Sequence, residues 1–204
     1  MGRSADQVFA LLSMVPPGSV TITDPSVTSW TSPVTGVITV QCWGPGGNGG
    51  TGASGNAGAG GGGGGGVSLP TPVNVIAGVS YPIQIGTPGV NTSFDSGAVE
   101  AGSGQKGFNG DGPDSQTGGE GGSGTYPGGQ GGHGGTGYLG VWGDGGIGAE
   151  SGGGAAGGAG GNSGSPNGAP GTAPGGGGGG GAGSESTGYP GSSGANGQIV
   201  ISWE

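Results

Sequence analysis

Glycine recurs at every third position in two long stretches of this chain. The first comprises Gly46, Gly49, Gly52, Gly55, Gly58, Gly61 and Gly64, and the second comprises Gly128, Gly131, Gly134, Gly137, Gly140, Gly143 and Gly146. A period of three fits neither an α-helix nor a strand. It is the period of an extended, left-handed helix of the polyproline II type, which has no internal hydrogen bonds. Glycine at this spacing lets neighbouring backbones touch and bond, so the pattern predicts close packing of backbones at these residues and disfavours an enzyme.

Composition leaves three classes open: collagen, a flexible linker and a packed glycine-rich array. Glycine accounts for 66 of the 204 residues, far above average usage. Collagen needs an unbroken Gly-X-Y repeat, whereas here the phase breaks at Pro127, Ala149 and Asn167. A disordered linker is usually rich in charge, but only 6% of these residues are charged. We therefore expect a packed array whose buried backbone groups are paired.

Charge excludes two classes of partner. The net charge is −9, with Arg3 and Lys106 as the two basic residues. Nucleic-acid affinity depends on Lys and Arg neutralising phosphates, and anionic membrane surfaces also attract basic segments. No nucleic-acid partner is expected, and no apolar run is long enough for a membrane span. Cys42, the single cysteine, is expected to be a small buried residue.

Segments with strand character bracket the glycine-rich blocks. Alternating apolar residues predict a β-scaffold over 19–43, 67–89 and 197–204, with glycine blocks over 44–66 and 90–196. Within the scaffold, 73–76 and 81–85 are predicted to form a hairpin around Ala77-Gly78-Val79. The predicted fold class is mainly irregular and β: a small antiparallel scaffold with large glycine-rich insertions packed as polyglycine II helices, preceded by a short N-terminal helix.

Residues 1–18 differ in composition from the rest of the chain. Ser4 and Gln7 form a weak capping box, and Pro16-Pro17-Gly18 would end the helix. Apolar residues recur at helical spacing between them: Val8, Phe9, Leu11, Leu12 and Val15. The stripe needs a partner, which is either the chain's own domain or the surface of another subunit. The second interpretation makes 1–18 a docking segment.

No catalytic residues, metal ligands or cofactors are predicted. His133 is the single histidine, and its glycine neighbours favour a solvated side chain. Asp111, Asp114 and Glu120 supply oxygen atoms of the kind that calcium prefers, but they match neither the EF-hand pattern nor the glycine-rich calcium repeat. Lys106 has no phosphate-loop context, because no helix follows it.

Aromatic residues in or beside the glycine runs are the candidate receptor-binding residues: Tyr126, Tyr138, Trp142 and Tyr189. They would either plug the edges of the array or form an exposed cluster that binds carbohydrate or protein. Tyr and Trp suit the second role because they supply contact area at low entropic cost.

The order of these pieces resembles the glycine-rich domain family. A strand ending in Val40-Gln-Cys-Trp-Gly-Pro-Gly-Gly47 is followed by poly-glycine, then by a hairpin-like stretch from Val73 to Gly86, and finally by the hydrophobic strand from Gly197 to Trp203. Similar domains occur in bacteriophage tail-tip adhesins, as bundles of polyglycine II helices, and in some animal receptor tyrosine kinases. The match covers about residues 36–204, so residues 1–35 lie outside it.

The resemblance implies a non-enzymatic phage virion protein, either a fibre-tip adhesin or a surface decoration protein, assembled in the host cytoplasm. Its expected partners are other virion proteins or copies of itself, and a host-surface glycan or protein. An antifreeze or surface-coat protein is one alternative, although threonines are few and irregularly spaced in the glycine blocks. An extracellular ligand-binding module is another, although such modules normally contain disulfides.

Overall fold

A β-sandwich and a glycine-rich array make up the described part of the chain. The computed structural model describes residues 15–110, 125–132, 134, 151–152 and 155–204. Its strands are β1 (Gly18–Ile22), β2 (Ser29–Thr31), β3 (Gly36–Trp43), β4 (Thr71–Val75), β5 (Ser80–Gln84), β6 (Thr92–Phe94), β7 (Val99–Ala101) and β8 (Gln198–Trp203). A one-turn 3₁₀-helix, Asp95–Gly97, joins β6 to β7. The predicted N-terminal helix, which would end at Pro16-Pro17-Gly18, lies mostly within residues 1–14, outside the described residues.

The strands form two antiparallel sheets of four strands each. The first has the order β1-β8-β3-β4 and the second has the order β2-β5-β6-β7. Strand β8, from the end of the chain, pairs with β3 from Ile38↔Trp203 to Trp43↔Gln198. The prediction that distant segments build one antiparallel scaffold is therefore confirmed.

The inner faces of the two sheets share one hydrophobic core. In β3, Ile38, Val40 and Cys42 are completely buried, whereas Val37 is 60% exposed, as the alternation of strand side chains predicts. Ile199 and Ile201 of β8 lie in the same core as residues on or next to the strands of the second sheet, namely Ile83, Ile85, Phe94 and Val99. Trp30 joins the sheets, because its ring centroid lies 6.1 Å from that of Phe94 and 6.3 Å from that of Trp203.

The predicted hairpin over 73–85 is wrong. Strand β4 pairs with β3 in the first sheet, while β5 pairs with β2 and β6 in the second. The turn between them, in which Gly78 has φ = +76°, crosses from one sheet to the other. Apolar residues on both strands can then enter the core from opposite sheets, an arrangement that local sequence does not distinguish from a hairpin.

The second glycine block also begins later than predicted. Residues 92–101 contain β6 and β7, whose Phe94 and Val99 are core residues. These strands are three residues long, too short for a clear alternating pattern. Residues 18–31 contain β1 and β2, so strands of the sandwich also occupy part of the stretch 1–35 that lies outside the resemblance.

Cys42 yields a prediction about reactivity and alkaline stability. Burial, followed by the negative charge of Glu100, raises the pKa of its thiol from 9.0 to about 12. We expect no reaction with a thiol reagent at pH 8 in native buffer and full reaction in guanidinium chloride. Because the folded-state pKa is the higher one, the thiol's contribution to stability is fully present below pH 9. It is lost at up to about 1.4 kcal/mol per pH unit as the pH rises towards 12.

The control for this prediction is Cys42→Ala, measured by urea unfolding between pH 8 and pH 11. The variant should be less stable at pH 8 because of the cavity. Its free energy of unfolding should then fall less steeply with rising pH, because it has no thiol to ionise on unfolding. Equal slopes for the two proteins would contradict the prediction.

Candidate functional site

The glycine array, which comprises the described residues of 44–67 and 102–197, is bonded through its backbone. Gly44, Gly47 and Gly50 donate to the carbonyls of Gly66, Gly63 and Gly60 at 2.8–2.9 Å. Between them, Gly46, Gly49 and Gly52 donate to Ala195, Ser192 and Tyr189, each at 2.9 Å. One segment therefore bonds two neighbours, each through every third residue.

The poly-glycine run extends this rule to three neighbours. Residues 59, 62 and 65 donate to 181, 178 and 175; residues 60, 63 and 66 donate to 108, 105 and 102; residues 61, 64 and 67 donate to 132, 129 and 126. Successive N–H groups thus point in three directions in turn. Residues 60–67 are all buried, so the interior of the array consists almost entirely of backbone.

Close approach leaves no room for side chains at most of the predicted glycines. A Cβ added to Gly46, Gly49 or Gly52 would meet the carbonyls of Gly176, Gly179 or Ala182. The two predicted registers also face each other, because a Cβ on Gly128, Gly131 or Gly134 would meet the carbonyl of Gly64, Gly61 or Gly58. Gly137 lies outside the described residues.

Close packing at Gly55 is wrong. The chain reverses over residues 53–57, where Gly55 has φ = +80° and a Cβ would meet nothing within 4 Å. The first register, which looks continuous in the sequence, is therefore folded into two antiparallel segments on either side of a turn. Glycine is needed at Gly55 for its positive φ.

The array and the start of the described chain lie at opposite ends of the sandwich. Trp43 leads directly into Gly44, Ala101 into Gly102, and Gly197 into Gln198 at the near end of β8. At the far end of β8, Trp203 pairs with Gly18 and its indole N–H donates to Pro16 at 3.0 Å. Val15, the described member of the docking stripe, is half-buried there, and its other four members lie outside the described residues.

The candidate aromatic residues do not form one cluster in the described structure. Tyr126 is 51% exposed and pairs with Val67, next to the sandwich. Tyr189 accepts a bond from Gly52, close to the turn over 53–57 at the other end of the array. The two therefore lie at opposite ends, and Tyr138 and Trp142 lie outside the described residues.

Polar turns form the end of the array that points away from the sandwich. They are 53–57, 162–165 and 184–187, each closed by backbone bonds such as Asn162 N–H to Ser165 and Ser184 N–H to Thr187. Asn56 lies in the first turn, where its buried Oδ1 has no hydrogen-bond partner. Sequence reasoning did not single out these turns, although their Asn, Ser and Gly residues are typical turn formers.

The described residues contain no assembled metal site and no membrane-spanning helix. No group of three or more metal-ligating side chains comes together among them, and none of their helices is long and apolar enough to cross a membrane. His133, Asp111, Asp114 and Glu120 lie outside this part of the chain. No protein-family model matches the sequence, and no curated protein is significantly similar to it.

Gly131→Ala tests the close contact between the two registers. The new Cβ would lie against the Gly61 carbonyl group, 2.6 Å from its carbon, and the backbones would have to separate. We expect the free energy of unfolding to fall by about 1–3 kcal/mol, measured in urea.

The matched control for Gly131→Ala is Gly164→Ala. Gly164 lies in an exposed turn, where the closest atom to a Cβ is the Asn162 Oδ1 at 3.5 Å. This change should leave the free energy of unfolding within about 1 kcal/mol of the parent. Equal losses in the two variants would disprove close packing at Gly131.

Proposed function

We propose that the glycine array is a bundle of polyglycine II helices on a β-sandwich base, and that the protein is a non-enzymatic structural component of a phage virion. The bonding pattern supports the first part, because a helix with three residues per turn and no internal bonds would direct successive N–H groups to three neighbours in turn. The resemblance of the ordered sequence pieces to phage tail-tip adhesins supports the second.

One observation carries the proposed role, namely the two-ended layout of the molecule. The described chain begins beside Trp203 at one end of the sandwich, and the array lies at the other end. A docking segment of 1–18 would then present the polar turns outward, as a fibre-tip adhesin or surface decoration protein requires. The apolar stripe over Val8–Val15 fits docking on another virion protein or on a copy of itself, because soluble proteins rarely leave such stripes uncovered.

Backbone dihedral angles test the proposed helix type. In a crystal structure, residues 46–52 and 58–64 should cluster near φ = −75° and ψ = +145°, or near the mirror-image values, at about 3.1 Å rise per residue. Both hands count because glycine is achiral. Dihedrals spread over the strand region with a period of two would overturn the helix type.

A truncation tests the proposed docking. The variant should lack residues 1–14 and keep Pro16, which holds Trp203, and Gly18, which begins β1. We expect it to unfold at the same urea concentration as the full chain but to be lost from virions purified from host cells that express it with a tag. The full chain with the same tag should be incorporated.

A second variant separates loss of the stripe from loss of chain length. Leu11→Asp with Leu12→Asp keeps every residue and should also prevent incorporation, whereas Val37→Asp, an exposed change on β3, should not. Equal incorporation of the truncated and full chains would place the docking surface elsewhere, and incorporation of neither would remove the virion role.

A further inference from the structure

A polar groove runs along the side of the array, beside the sandwich and away from the outer turns. Its volume is about 550 Å³. Gly47 and Asn48 form one wall, and residues 103–106 form the other. The two segments are bonded to each other, since Gly104 N–H donates to the Pro45 carbonyl and Gly107 N–H donates to the Asn48 carbonyl, both at 2.8 Å. The loop at Pro88–Asn91 closes the end next to the sandwich.

Hydrogen bonds brace the closed end of the groove. Gly89 N–H donates to the Ser103 hydroxyl at 2.9 Å, and Ser103 N–H donates to the Asn91 side-chain oxygen at 2.9 Å. The Asn91 amide in turn donates to the Glu100 carboxylate at 2.7 Å. Towards the outer turns, Thr51 N–H donates to the Asn109 side chain at 3.0 Å and ties the two segments together. The walls are therefore preorganised, which lowers the cost of binding.

Three lining side chains keep free donors. The Asn48 oxygen accepts from Gly194 N–H at 3.1 Å, which orients the amide and leaves its NH₂ group unused. Lys106 and Gln105 also line the groove, and neither side chain is engaged by a hydrogen bond or ion pair in the described structure. Lys106 is one of two basic residues in a chain of net charge −9, and it lines the same groove as the Asn48 and Gln105 amides.

We propose that this groove binds a carboxylated sugar residue, such as a uronic acid of a surface polysaccharide. A carboxylate would pair with the Lys106 ammonium through charge-assisted hydrogen bonds, while ring hydroxyls would bond the Asn48 and Gln105 amides. An uncharged sugar would lack the charge-assisted bond to Lys106. Because the groove is open, it can accept one sugar residue within a longer polysaccharide chain. The inference deepens the proposed attachment role and rests on it for its biological setting.

Binding is tested with D-glucuronate and D-glucose, which differ in the carboxylate at carbon 6. In ¹⁵N-labelled full-length protein, glucuronate should cause saturable shifts in the amide signals of Gln105 and Lys106 and in the Asn48 side chain. Glucose should bind at least about tenfold more weakly. Lys106→Gln should reduce glucuronate affinity at least about tenfold, whereas Lys106→Arg should largely retain it, because both cations bind carboxylates.

Asn74→Ala is the matched control, because Asn74 is an exposed amide on β4, away from the groove. It should leave the glucuronate affinity unchanged, and added salt should weaken binding in the parent. Equal affinities for glucose and glucuronate, or full affinity in Lys106→Gln, would overturn the inference. Because these measurements use isolated protein, their failure is distinct from failure of the truncation to affect virion incorporation.

Discussion

Hydrogen bonds between backbones hold the glycine array together. They can form because glycine has no side chain to keep neighbouring segments apart. Ordering a glycine costs more conformational entropy than ordering most residues, and a poly-glycine interior has no apolar side chains to offset that cost. What it offers is complete pairing: from Ala59 to Val67, every N–H finds a carbonyl at 2.7–3.0 Å. Adding a methyl group at a packed glycine both separates two backbones and leaves buried polar groups unpaired, which is expensive.

The number of glycines in each three-residue window reflects how enclosed a segment is. The 60–66 and 175–181 runs, all glycine, are buried along their whole length. The 45–52 segment has two glycines per window and places Asn48 and Thr51 on its outer side. In the 104–110 segment one glycine per window faces inward, and Phe108 is 58% exposed. The glycine content of a segment therefore indicates how deeply that segment is buried in the array, in addition to showing the three-residue repeat.

The sequence predicted structure correctly where a pattern extended over many residues. It failed where the structure depends on which distant segment a strand or glycine run packs against. The alternation in β3 gave its buried face, and the two registers identified glycines that meet across the array. The crossing of β4 and β5 between sheets, the short strands β6 and β7 and the reversal at Gly55 depend on which partner each segment meets. The groove was missed for the same reason: Asn48 and Lys106 are 58 residues apart, and only parallel packing of their segments brings them together.

The sandwich has a further role, because the array cannot fix its own register. Within a run of identical glycines, a slip of three residues would restore almost every bond, so the packed backbones alone do not select one alignment. Attachment to the strands removes this ambiguity. Trp43, Ala101 and Gln198 fix the ends of three segments at one edge of the sandwich, and Gly197 N–H bonds to Gly86 at 2.9 Å. The side-chain core of the sandwich thus specifies an alignment that the glycine array then propagates towards the polar turns.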